Sequence, residues 1–361
     1  MEARITRVTN QVKEIITQAL QKEVFPGATV WIRWHGETIH CAAYGNTAGK
    51  KYDTYSPTPV TLQTLYDVAS LTKVVATTWA LMNLMEQGSL KLTDRVATYI
   101  PQFGSDQQKS SITLQHLLTH TSGLPGPLPL YKQYRSKEEI RQAVYRQPLL
   151  FPPGAKHVYC DVGFILLGEV IRIVGSSELD VYCYQKLFKP LGMNDTMFNP
   201  PEHLWERVAP TEYKEYRGEE LVHGQVHDEN AWVMGGVAGH AGLFSTIEDI
   251  AKFCTMVLDV GNYKGKKVLT SNSIIEMASP QHLHAKEAVG LGWMMNRPSF
   301  MGQLASQETF GHTGFTGTSM IMNFQRDLAV VLLSNRVCPT RNGPDINPYR
   351  QQLANALLTL F

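Results

Sequence analysis

Hydrophobic and polar positions alternate along this chain in three different ways. Ile5, Val8, Val12, Ile15, Ile16 and Ala19 recur at three-to-four spacing, which predicts an amphipathic helix over 3–20. After Pro26-Gly27, the runs ATVWIRW and ETIHCAA are short and rich in β-formers, and they flank His35-Gly36, predicting a hairpin. A polar loop rich in Gly, Thr, Ser and Pro spans 45–63. From Ser70 to Gln87 the chain is apolar almost all round and stops at Gly88. A helix without a polar face is a buried one. It is therefore expected between two layers of structure, with Ser70 and Lys73 at its N-terminal end.

Residues 90–210 read as short helical segments cut by prolines, among them TLQHLLTH, SKEEIRQAVYRQ, VGFILLGEVIRIVG and ELDVYCYQKLFKPLG. In the final third, STIEDIAKFCTMVLDVG is a helix expected to be capped by Ser245, with Glu248 reciprocating. ETFGHTG, GTSMIMNF and LAVVLLSN read as strands, and Asn347-Pro348 opens a terminal helix. The fold class expected is α/β (α+β): an antiparallel sheet flanked by helices, with an inserted all-helical lobe. Residues 1–75 and 240–361 would form the sheet lobe and 76–239 the mainly helical lobe, with the active site between them.

Composition narrows the class without choosing a function. The 361 residues are 43% hydrophobic and 18% charged, and 33 basic against 32 acidic side chains give a net charge of +1. Such balance argues against nucleic acid or an anionic membrane as partner, and leaves a small-molecule substrate as the expected one. The five cysteines are widely spaced and lack a C-x-x-C pair, against both a disulfide framework and a zinc cage. With no apolar leader at the N-terminus, the expected location is cytoplasmic. Oligomeric state is not encoded legibly.

Three segments carry candidate chemistry. Ser70-Leu71-Thr72-Lys73 begins the buried helix, and i and i+3 share a helix face, so the amine reaches the hydroxyl. The positive end of the helix dipole disfavours a lysine there. Dipole and burial are expected to lower its pKa and fit it to activate a serine nucleophile. Tyr159-Cys160-Asp161 precedes a helix, which Asp161 alone could cap. GHTGFTGTS at 311–319 is a glycine-rich opening between two strands, able to offer backbone N–H donors.

In this order, the three motifs resemble the serine β-lactamase and penicillin-binding-protein superfamily, on its class-C-like branch of esterases and D-amino-acid peptidases. FPGATV, LYDVASLTKVVATT, QHLLTHTSGLP, GFILLGEVI and VAGHAGLFSTIEDIAKF extend the resemblance over nearly the whole chain. It implies Ser70 as the acylated nucleophile, Lys73 as its partner and Tyr159 as a proton shuttle. The backbone N–H groups of Ser70 and Phe315 would form the oxyanion hole, and Asp161, His312, Thr313 and Gly314 would meet substrate. No cofactor and no metal is implied.

Two departures from the pattern matter. Asp161 stands where relatives carry asparagine; a carboxylate cannot donate, and beside Lys73 it would raise the lysine pKa. Either Tyr159 then carries most of the base work or Asp161 points elsewhere. His312 stands where many relatives carry lysine, and a histidine is mostly neutral at pH 7. The cleft is thus not expected to be built for anions, and β-lactam hydrolysis is not expected as the main activity. The leading expectation is a serine esterase or amidase acting on small D-amino-acid or cell-wall-derived compounds. The alternatives are a β-lactamase or D,D-carboxypeptidase, and, from another class, a binder or sensor that retains the fold without catalysis.

Weaker signals sit elsewhere. Asp228 and His240 lie in a region near the cleft of similar proteins, so Asp228 is a candidate substrate contact, against a local helix cap. His116 and His120 have the i, i+4 spacing of a metal pair but lack the glutamate of the zincin pattern. No G-x-S-x-G elbow occurs. Trp31 and Trp34 lie on a predicted strand and read as core.

Overall fold

A computed structural model describes residues 1–52, 54–105, 107–218, 220–281 and 288–361. The amphipathic stripe forms helix α1 (Glu2–Gln21), which buries Val8, Val12, Ile16 and Ala19. Strands β1 (Gly27–Trp34) and β2 (Glu37–Gly45) follow as an antiparallel hairpin, whose tight turn places His35 and Gly36 at positive φ. Apolar residues then continue into a buried helical run: a 3₁₀ turn at Ala69–Leu71, a π-helical stretch at Lys73–Thr78, and α2 (Trp79–Glu86). Helix α3 (Asp161–Val174) comes from the proline-cut segment, and α4 (Ile247–Leu258) from the last third. Strands β3 (Met294–Met295), β4 (Thr309–Thr313), β5 (Ser319–Asn323) and β6 (Leu328–Ser334) precede α5 (Asn347–Ala356).

The six strands form one sheet in the order β3-β4-β5-β6-β1-β2, every neighbouring pair antiparallel. The first and last parts of the sequence meet where β1 pairs β6, with Trp31 opposite Val331. Period-two alternation sends successive side chains to opposite faces. Val30, Ile32, Val330 and Leu332 pack outward against α1 and α5, while Trp31, Val331 and Leu333 pack inward against the buried helical run and α4. Both tryptophans are core, Trp31 being 3% exposed and Trp34 7%.

Two caps differ from expectation. Thr246, not Ser245, caps α4, accepting from the Asp249 N–H, because Ser245 is held in a short strand where its hydroxyl meets Thr196. Cys160, not Asp161, caps α3: its Sγ accepts from the Gly163 N–H at 3.3 Å, which leaves the Asp161 carboxylate free for another partner. Among the described residues, no helix is long and apolar enough to cross a membrane.

Candidate active site

Ser70 lies in the 3₁₀ turn that opens the buried run, and strain begins just before it, since Ala69 takes φ 48°. Left-handed backbone at a non-glycine residue persists only where its surroundings enforce it. Here the enforcing group is Asp67, buried in the short strand Tyr66–Asp67 just before it. Its Oδ1 accepts from the Ala69 N–H at 2.8 Å and its Oδ2 from the His227 N–H at 2.6 Å. Sequence reading missed Asp67; the signal was an acid inside the otherwise apolar LYDVAS.

Around Ser70 Oγ the structure gathers the two expected partners. Lys73 Nζ donates to Oγ at 3.1 Å and the Tyr159 hydroxyl donates to it at 2.9 Å. Lys73 is fully buried. Its ammonium also donates to the His240 carbonyl at 3.2 Å, lies 2.7 Å from Asp161 Oδ1, and sits 4.9 Å from the centre of the Tyr159 ring. Three oxygens thus surround Nζ, as an ammonium with three hydrogens requires.

This corrects the expectation of a lowered lysine pKa. Burial does pull it down, but the Asp161 carboxylate, with Tyr159 beside it, outweighs burial and holds the group above its ordinary value. Tyr159 is likewise pushed up by burial, against the opposing pull of Lys73, so its phenol keeps its proton. Burial drives the Cys160 thiol up to about 12, leaving it an inert cap.

The second wall is the turn between β4 and β5. Thr316 Oγ1 donates to the Asp67 carbonyl at 2.7 Å and Thr318 Oγ1 to the Val68 carbonyl at 3.0 Å, docking the turn against the Ser70 segment. Gly314 is required here, because a Cβ would run into Thr318 Oγ1 and the Val68 carbonyl. Phe315 follows, half exposed at the mouth, its ring between the His227 imidazole (5.6 Å) and the Arg341 guanidinium (5.4 Å). Ser70, Tyr159, Thr313, Gly314 and Phe315 all line one cleft of about 420 Å³.

Three expected substrate contacts, Asp161, His312 and Asp228, lie outside the lining of that cleft, Asp161 because its carboxylate is turned to Lys73. His312 is fully buried, its ring 6.1 Å from that of Tyr159, and its Nδ1 faces the Thr313 carbonyl at 2.8 Å. Burial, then the Lys73 charge, push its pKa down to about 3, so the ring is neutral. Asp228 caps a short helix through the Ala231 N–H at 2.8 Å, and the same Oδ1 lies 2.9 Å from His240 Nε2. His240 in turn presents its carbonyl to Lys73, so Asp228 stands two links from the nucleophile. His116 closes a capping box on Thr113. His120 Nδ1 accepts from the Cys160 N–H at 3.0 Å, with its ring 4.7 Å from Tyr159. Among the described residues no cluster of metal ligands occurs.

The cleft also holds cations that the sequence reading, which considered only His312, did not place there. Arg336, Asn347 and Arg350 line it, alongside Asp345. Arg350 donates through Nη2 to the Gly314 and Thr318 carbonyls at 3.1 and 2.7 Å, which fixes it beside the docked turn. Burial, with Arg336 adding repulsion, pushes its pKa down to about 9. The missed signal resembles the one at Lys73: Arg350 is a cation in the first turn of α5, where the helix dipole opposes it.

A serine next to a left-handed residue, hydrogen-bonded to a lysine and a tyrosine and facing a glycine-rich strand edge on an antiparallel sheet, defines a serine hydrolase of the β-lactamase and penicillin-binding type. The sequence profile of the Beta-lactamase family matches residues 12–355, and the chain belongs to that family. A protein of Escherichia coli K12 named "Putative D-alanyl-D-alanine carboxypeptidase" is 34% identical over 375 residues, 94% of this chain and 85% of that one. A protein of the same name from Salmonella enteritidis PT4 is 34% identical, covering 83% of this chain and 76% of its own. Among solved structures, a class C β-lactamase superposes with TM-score 0.79 at 20% identity, covering 99% of both chains. The octameric penicillin-binding-protein homologue from Pyrococcus abyssi gives 0.74 at 23%, covering 97% of this chain and 77% of that one. At those identities the structural likeness speaks for the fold alone.

Proposed function

We propose that the protein is a D,D-peptidase-type amidase that acylates Ser70 with a D-amino-acid acyl group and releases a leaving amino acid ending in a free carboxylate. The observation that carries this reading is the arginine pair: Arg336 and Arg350 line the same cleft as Ser70 and Tyr159, with Asp345 the one acid beside them in its lining. Arg336, with the buried charge of Arg350 behind it, makes this part of the cleft positive and favours a carboxylate as its ligand. The D-amino-acid and peptide class is drawn from the name carried by the 34%-identical relatives.

In this reading Ser70 Oγ attacks the scissile carbonyl, whose oxygen takes up charge against the N–H groups of Ser70 and Phe315. The Ser70 N–H is available because it belongs to the first turn of its helical run. The Tyr159 hydroxyl, already donating to Oγ, stands next to the departing nitrogen and protonates it. Water then releases the acyl group. The test is release of D-alanine from an N-acyl-D-alanyl-D-alanine peptide, followed by chromatography, for wild type and Ser70→Ala. Ser70-dependent release, lost when the peptide is C-terminally amidated, is the expected result. Equal turnover of the amide, or faster turnover of p-nitrophenyl acetate alone, would favour a small-ester hydrolase instead.

A further inference from the structure

Ser70 Oγ receives hydrogen bonds from both Lys73 and Tyr159, so neither neighbour, as protonated, can take the serine proton. The first carboxylate beyond them is Asp161, 2.7 Å from Lys73 Nζ with its side chain 17% exposed. Resting on the Ser70 reading above, we propose that Asp161 is the terminal acceptor of the serine proton in acylation, reached through Lys73.

The relay balances. An Nζ proton first passes to Asp161 Oδ1, leaving Lys73 a neutral amine, and as Oγ bonds to the carbonyl carbon its proton passes to the lone pair so freed on Nζ. Asp161 ends neutral, Lys73 is unchanged in charge, and the negative charge lies on the carbonyl oxygen. On collapse, the bond to the leaving group breaks and the electron pair on its nitrogen takes the Tyr159 proton. Tyr159 is restored by Lys73, and Lys73 by Asp161. Asp161 touches no substrate atom and acts through Lys73, so it is a positioning residue.

Its surroundings allow this. Cys160 caps α3, so Asp161 is not held by the helix start. The titratable groups packed around the pair are Tyr159, His120, His312 and Cys160, with Arg350 beyond His312. Burial keeps His120 and His312 neutral, and the tyrosine and thiol are protonated, so none of these four competes with Asp161 for the proton.

The test is the pH dependence of Ser70 labelling by an aryl fluorophosphonate, read by intact mass, which needs no natural substrate. Asp161→Asn removes the acceptor and leaves Lys73 to act only when neutral, so its acid limb moves to higher pH. The variant should lose about 100-fold near pH 6 and recover about tenfold per pH unit above it. Asp161→Glu, which keeps a carboxylate, should retain the wild-type limb. A uniform loss at every pH in Asp161→Asn, or a profile parallel to wild type, would overturn the relay. No labelling of wild type would instead overturn the Ser70 reading beneath it. An Asp161→Glu profile matching Asp161→Asn would also count against the relay.

Discussion

The Tyr159 hydroxyl lies 2.9 Å from Ser70 Oγ and is its donor. Burial keeps that phenol protonated, so in the proposed mechanism it gives a proton to the leaving group rather than taking one from the serine. Tyr159→Phe should therefore lower kcat for amide substrates by about 100-fold or more while changing KM little. Activated esters, whose leaving groups need no proton, should be affected far less. Steady-state kinetics on both substrates decide this, and an equal loss on both would contradict the assignment.

Arg336 bears on binding rather than on bond breaking. Arg336→Gln should reduce kcat/KM for a peptide with a free C-terminal carboxylate by about 10- to 100-fold, the size of one lost charge-assisted hydrogen bond. The C-terminally amidated peptide should be nearly indifferent. Equal losses on the two would show that the arginine only shapes the loop.

Gly314→Ala should cost both activity and stability. The added Cβ would meet the Val68 carbonyl and Thr318 Oγ1, prying the Phe315 turn off the Ser70 segment. Thermal melting and fluorophosphonate labelling measure the two effects, and a folded, fully active variant would contradict the docking described.

Stability should also fall on the acid side of neutrality through the buried histidines. His312 has its pKa lowered to about 3 from an ordinary 6.5. Between those values the unfolded chain binds a proton that the folded one does not, so stability is present above pH 6.5 and is lost progressively as pH falls toward 3. His312→Gln should flatten the slope of Tm against pH in that window. Identical slopes for the two proteins would count against a neutral His312.

The legible and illegible parts of this protein divide by physical range. Local pattern located the hairpin, the terminal helices and the buried run after Ser70, because alternation and apolar periodicity are written within a dozen residues. The i, i+3 pairing of Ser70 and Lys73 was legible for the same reason. Long-range charge was not: whether Asp161 reached Lys73 depended on which residue capped α3, and a thiol cap carries little signal in sequence. Arg336 and Arg350 reach the cleft only because the C-terminal strand and helix fold back beside the β4–β5 turn. Their isolated positions in the sequence gave no reason to join them. The π-helical stretch at Lys73–Thr78 was equally invisible, since its residues suit any buried helix.

The central claim is acyl transfer through Ser70. It is tested most directly by acid-quenching the enzyme during turnover of an N-acyl-D-alanyl-D-lactate depsipeptide and mapping the adduct by mass spectrometry. The account predicts one added acyl group, without the leaving lactate, on the peptide containing Ser70, and none in Ser70→Ala. Turnover with no adduct under quench at any time, or an adduct that persists in Ser70→Ala, would contradict it.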